Sequence, residues 1–71
     1  MTIEEIILEL EKGGVILHHL PTFGKKSEYW LLIGDENTQI LSDTFTILRK
    51  KGILTYAGHK DEDISIYELK K

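Results

Sequence analysis

Five consecutive large apolar residues, YWLLI at positions 29–33, constrain this 71-residue chain more than any other feature. The composition of the segment predicts a β-strand over residues 28–33. Successive side chains of a strand point to opposite faces, so Trp30 and Leu32 share one face and the other three apolar residues share the second. A sheet with one solvated face shows cleaner alternation of apolar and polar residues. Both faces of this strand therefore need a cover.

Either helices cover both faces or one face meets another molecule, and with only two helices predicted, dimerisation is the simpler explanation. A domain of this size buries only about 60% of the surface that its unfolded chain exposes, and small domains often gain stability from disulfides, metals or oligomerisation. The sequence has no cysteine, which excludes disulfides and Cys-based zinc sites. We therefore predict a homodimer with Trp30 and Leu32 at its interface. An unidentified protein partner would supply the same cover.

A first helix is predicted over residues 3–12. Thr2 is its N-cap and Glu5 completes a capping box, while Gly13 and Gly14 end the helix. Leu8 lies opposite the apolar stripe, among glutamates, and has two interpretations: a single exposed leucine, or an outlying contact with a second chain. The stripe itself consists of Ile3, Ile6, Ile7 and Leu10.

A second helix is predicted over residues 38–51, with Asn37 as its N-cap. Its apolar arc includes Ile40, Leu41 and Phe45. Because residues 38 and 40 are β-branched, an alternative boundary makes residues 38–41 a short strand and Ser42 the N-cap. The pattern predicts further strands over residues 15–20, 53–57 and 64–69, with a turn at residues 34–37 and a hairpin loop at residues 58–63.

These elements predict a single domain over residues 1–71. The order is helix, strand, strand, helix, strand, strand, which indicates a small α+β fold with a mainly antiparallel sheet. The N-terminal apolar run is interrupted by glutamates, so neither a signal peptide nor a membrane helix is predicted, and we expect a cytoplasmic protein that does not bind a membrane.

The residues capable of catalysis or metal binding form no convincing motif. His18 and His19 are adjacent in a predicted strand, so their rings point to opposite faces and cannot readily share one ion. Zinc needs three or four converging ligands. No nucleophile elbow, phosphate-binding loop or calcium loop is present. We predict no metal, no cofactor and no enzymatic activity.

The second helix supports an alternative function. Arg49, Lys50 and Lys51, followed by a hairpin, resemble the recognition helix and wing of winged-helix DNA-binding regulators. That family places another helix before its recognition helix, where this chain has a strand. The net charge of −3 disfavours nucleic acid, although residues 1–36 (3 basic, 7 acidic) carry −4 and residues 37–71 (6 basic, 5 acidic) carry +1.

The length, the order of elements and the YWLLI block at residues 29–33 are similar to YopT, a family of small proteins carried by Bacillus prophages. The resemblance implies a phage-borne accessory protein that is homodimeric and has no assigned activity. It assigns no functional residues. Its implication of self-association agrees with the two-faced strand, which is an independent observation.

Overall fold

The computed structural model describes residues 2–21, 24 and 26–70. Its strands form one five-stranded antiparallel sheet in the order β3-β2-β1-β5-β4. The predicted α+β class is confirmed. No helix in the described part of the chain is long and apolar enough to span a membrane. The elements are α1 (Ile3–Glu11), β1 (Val15–His19), β2 (Glu28–Ile33), β3 (Glu36–Ile40), α2 (Ser42–Lys50), β4 (Leu54–Asp61) and β5 (Ile64–Leu69).

Helix α1 begins with the predicted capping box. The Thr2 hydroxyl accepts a hydrogen bond from the Glu5 backbone N–H at 3.2 Å, and the Glu5 carboxylate accepts one from the Thr2 N–H at 3.3 Å. Gly13 has a φ of 107°, a conformation that glycine adopts without steric cost. The N–H of Gly14 then donates to the Glu9 carbonyl at 2.9 Å, and the chain turns directly into β1.

The predicted second helix over residues 38–51 is wrong at its start, because the chain before Ser42 forms strand β3. This strand pairs in continuous register with β2, and a two-residue turn at Gly34 and Asp35 joins them. Asn37 is therefore a strand residue and not a helix cap. The N-cap is Leu41, which is 74% exposed and not in the core. The alternative boundary is correct in making residues 38–40 part of a strand, but Ser42 is the first residue of the helix and not its N-cap.

The predicted hairpin loop at residues 58–63 is also wrong, because β4 continues to Asp61 and leaves a short turn before β5. Two register shifts interrupt the pairing of β4 with β5, one between Tyr56 and Gly58 and one between His59 and Asp61. Gly58 has a φ of 121°, which a residue with a side chain rarely adopts. Edge strand β4 is therefore long but irregular.

Both helices pack on the same face of the sheet. The buried cluster combines residues of α1 and α2 with every second residue of the central strands. The intervening residues of those strands belong to the opposite face, on which neither helix lies. The core cluster is Ile6, Leu10, Ile16, Leu31, Ile40, Phe45 and Leu48.

Candidate protein-binding surface

An apolar patch covers the face of the sheet that carries no helix, and we call this patch the open face. Its side chains come from the three central strands, and cross-strand pairing places Leu17 directly between Trp30 and Ile66. Neighbouring pairs on one face lie within contact distance, so the patch is continuous. None of its members belongs to the helix-side core. The open face consists of Val15, Leu17, Trp30, Leu32, Ile64 and Ile66.

The members of the open face differ in burial. Leu17 is only 3% exposed although no helix covers it, because the side chains of β2 and β5 enclose it from both sides. Trp30, Leu32 and Ile66 are partly buried and keep apolar surface in contact with water. Leu17 therefore serves the stability of the single chain, whereas the other three are available to a partner.

A depression of about 280 Å³ lies over part of the open face. Asn37 on edge strand β3 and Lys60 on edge strand β4 both line it, so the depression reaches residues of both edges of the sheet. The Trp30 indole N–H donates to the Glu28 carboxylate at 3.3 Å, and this hydrogen bond orients the ring at the side of the depression. The polar part of the lining carries both signs of charge and consists of His19, Glu28, Asn37 and Lys60.

The structure brings together two of the three predicted interface residues. Trp30 and Leu32 both lie on the open face. Leu8 is 54% exposed on the outer side of α1, whose inner side packs against the other face of the sheet. The sequence pattern alone does not place Leu17 or Ile66 on the same surface as Trp30. Their alternation was visible, but their position beside Trp30 depends on β1 lying between β2 and β5.

The face of the sheet on which both helices pack, which we call the helix face, carries an aromatic cluster that contacts Arg49. The Tyr29 ring stacks with His18 and with Phe45, at centroid distances of 4.5 and 4.3 Å, and the His18 and Phe45 rings are themselves 5.8 Å apart. The Arg49 guanidinium lies 5.9 Å from the Phe45 ring centroid and 5.6 Å from that of Tyr67. Arg49 is therefore held against this aromatic cluster.

The predicted nucleic-acid residues thus differ in their environment. Arg49 is tied to aromatic rings, while Lys50 and Lys51 are exposed at the C-terminal end of α2. The likeness to winged-helix regulators is limited to α2 and the β4–β5 hairpin, because strand β3 and not a helix precedes α2. Of these three residues, Lys50 and Lys51 are therefore the exposed cations that phosphate could contact.

The two adjacent histidines point to opposite faces, as their spacing predicts. His18 stacks on Tyr29 at the helix face, and His19 lies beside Trp30 at the open face, with ring centroids 6.4 Å apart. Within the described ranges, no group of three or more His, Cys, Asp or Glu side chains is placed to hold a metal ion.

His18 makes the stability of the fold depend on pH. Its Nε2 atom is buried without a hydrogen-bond partner, and burial, followed by the charges of His19 and Arg49, lowers the pKa of His18 below its ordinary 6.5. The unfolded chain therefore binds a proton at a pH where the folded chain does not. The contribution of His18 to stability is therefore complete above about pH 6.5 and is lost as the pH falls through the lowered pKa of the folded state.

We expect His18→Phe to flatten this dependence, because the ring stack is kept and the buried nitrogen is removed. Urea denaturation followed by Trp30 fluorescence, from neutral to mildly acidic pH, measures the effect. Thr46→Ala, which removes no titratable group from the exposed side of α2, is the control and should leave the pH dependence as in the wild type. An unchanged slope in His18→Phe would show that another group titrates.

Comparison of the chain with family models, with curated proteins and with solved structures gives no match. The resemblance to the YopT family therefore remains an expectation from the sequence. The case for a function rests on the open face and its rim.

Proposed function

We propose that this protein is a cytoplasmic interaction module, without catalytic activity of its own, whose open face binds a second copy of the chain. One observation carries the proposal: both helices lie on one face of the sheet and leave continuous apolar surface on the other. Removing such surface from water contributes about 25 cal/mol per Å². The resemblance to a prophage family is consistent with an accessory role of this kind.

The rim of the open face favours a second copy as the occupant. A two-fold interface brings the same patch of both chains together, so a patch with one sign of charge repels itself. Here Glu28 lies on β2 and Lys60 on β4, with β1 and β5 between them. A two-fold rotation across the apolar middle allows Lys60 of one copy to approach Glu28 of the other. The patch is therefore compatible with itself in charge.

Trp30→Ala is expected to weaken self-association at least about tenfold, because large aromatic side chains at the centre of an interface dominate its binding energy. Sedimentation equilibrium over a dilution series measures the dimer dissociation constant, and far-UV circular dichroism shows that the variant remains folded. The ring is only partly buried in the single chain, so the fold tolerates its loss better than the interface does.

Leu8→Ala is the matched control for this experiment. It removes a large exposed apolar side chain from the outer side of α1, away from the open face, and should leave the dissociation constant unchanged. A wild-type chain that is monomeric at all concentrations would contradict the proposal. A Trp30→Ala variant that dimerises as tightly as the wild type would do the same.

A further inference from the structure

We infer that β3 is a second self-association site, at which the exposed edge of the sheet pairs with β3 of another copy across a two-fold axis. This goes beyond the function proposed above, because it uses the main chain of an edge strand and not the side chains of the open face. Its consequence is that dimers formed through the open face associate further as concentration rises.

The two edges of the sheet are unlike. An edge strand presents unpaired N–H and C=O groups, and proteins protect such edges with bulges, lysines or proline. Edge strand β4 has two register shifts, the positive φ of Gly58, and Lys60. Edge strand β3 pairs with β2 without a register shift, contains neither lysine nor proline, and is exposed from Glu36 to Gln39. Within the described part of the chain, the β3 edge is therefore the regular one.

The hairpin geometry determines which backbone groups of β3 face outward. Residues in an antiparallel pair alternate between those that exchange hydrogen bonds with the neighbouring strand and those that do not. The two-residue turn makes Ile33 and Glu36 the pair that closes the hairpin, and these exchange hydrogen bonds. The N–H and C=O groups of Asn37 and Gln39 therefore point away from β2 and are free to bind another strand.

The sequence of β3 is complementary to itself. Antiparallel pairing centred on Thr38 sets Asn37 opposite Gln39 of the second copy, so the outward N–H and C=O groups of both chains meet in register. The same alignment pairs threonine with threonine, a favourable cross-strand contact. Glu36 faces Ile40 of the second copy and not another carboxylate. Repulsion between like charges is thus avoided.

The edge geometry also favours a second copy of β3 over other strands of the protein. Pairing β3 of one copy with β4 of the next would be head-to-tail and would generate open filaments. The register shifts of β4 disrupt the ladder that such pairing needs. Pairing of β3 with β3 is isologous and closes after one step. The growth of the sheet is therefore limited to two copies.

Two charge variants that modify the same positions test the inference. N37K/Q39K places lysine opposite lysine in the proposed alignment, whereas N37K/Q39E places lysine opposite glutamate. Both side chains are exposed in the single chain, so neither variant disturbs the fold. We expect N37K/Q39K to weaken edge pairing at least about tenfold, because like charges directly opposite destabilise a strand pair, and N37K/Q39E to retain it.

The experiment is made in chains that also carry Trp30→Ala, because Asn37 also lines the depression over the open face and its substitution would otherwise act on both interfaces. Sedimentation velocity at low salt should show dimers for Trp30→Ala alone and with N37K/Q39E, and monomers with N37K/Q39K. Hydrogen exchange should show the amides of Asn37 and Gln39 protected only in the associating chains.

Two outcomes would overturn the edge site: a Trp30→Ala chain that stays monomeric at every concentration, or equal association of the lysine–lysine and lysine–glutamate variants. Failure of the open-face proposal has a different signature. In that case Trp30→Ala leaves association as in the wild type, while N37K/Q39K alone abolishes it.

Discussion

Leu31→Ala is expected to lower the free energy of unfolding by about 2–5 kcal/mol, whereas the same substitution at Leu32 should mainly weaken self-association. Leu31 is 0% exposed and packs in the helix-side core. Its truncation removes buried methyl groups and leaves a cavity that the close-packed neighbours fill incompletely. A domain this small has little stability in reserve, so a large fraction of the Leu31→Ala molecules should be unfolded at 37 °C.

Leu32 supplies the matched control, because it is the next residue of the same strand and points to the open face. It is partly buried in the single chain, so its truncation should cost clearly less stability. Urea denaturation at a protein concentration below the dimer dissociation constant separates the two effects, and sedimentation equilibrium measures association. Equal losses of stability, with association unaffected by Leu32→Ala, would contradict an exposed binding face.

The parts of the fold that the sequence predicts are those determined by neighbouring residues. The capping box at Thr2 and Glu5 is a local arrangement, and the observed hydrogen bonds reproduce it. The alternation in β2 is equally local, because a strand directs successive side chains to opposite faces whatever lies beyond them. The prediction of which β2 residues lie on each face is therefore confirmed, because it does not depend on the strand order.

Strand β3 shows where local patterns fail. Residues 36–40, ENTQI, alternate poorly, because an edge strand with four exposed residues needs little apolar content. Ile40 and Leu41 also continue the helical apolar arc of α2 backwards, which favours a longer helix. Main-chain pairing with β2 makes residues 36–40 a strand and not part of the helix, and this pairing involves atoms that every residue shares. No side-chain pattern records it.

The candidate surface was predictable only in part, for a related reason. Trp30 and Leu32 were identified because their own strand has two apolar faces. Leu17 and Ile66 join them through the order β2-β1-β5, which is a property of the topology. The predicted outlier Leu8 is exposed as expected, but it lies on α1, away from the open face. Exposure can be judged from helical periodicity, whereas membership of a common surface cannot.

Phe45→Ala is expected to cost about 3–5 kcal/mol of stability, because this ring holds α2 against the sheet. Phe45 is buried, stacks on Tyr29 at 4.3 Å and meets Tyr67 edge-on at 5.3 Å, with Arg49 over its face. Its removal leaves a cavity and takes away one of the rings that engage the guanidinium. Urea denaturation and near-UV circular dichroism report the loss, and Thr46→Ala, at the exposed next position, is the control.

The milder Phe45→Leu tests whether the two faces of the sheet act independently. It should lower stability by a smaller amount and keep the wild-type dimer dissociation constant, because α2 lies on the face opposite Trp30. Trp30→Ala should show the reverse, with strong loss of association and a smaller effect on folding. If Phe45→Leu weakens association as much as Trp30→Ala does, the partner contacts α2 and the open face is not the binding surface. If both variants instead behave as expected, the helix face maintains the fold and the open face binds the partner. The placement of both helices on one side of the sheet predicts this division of roles.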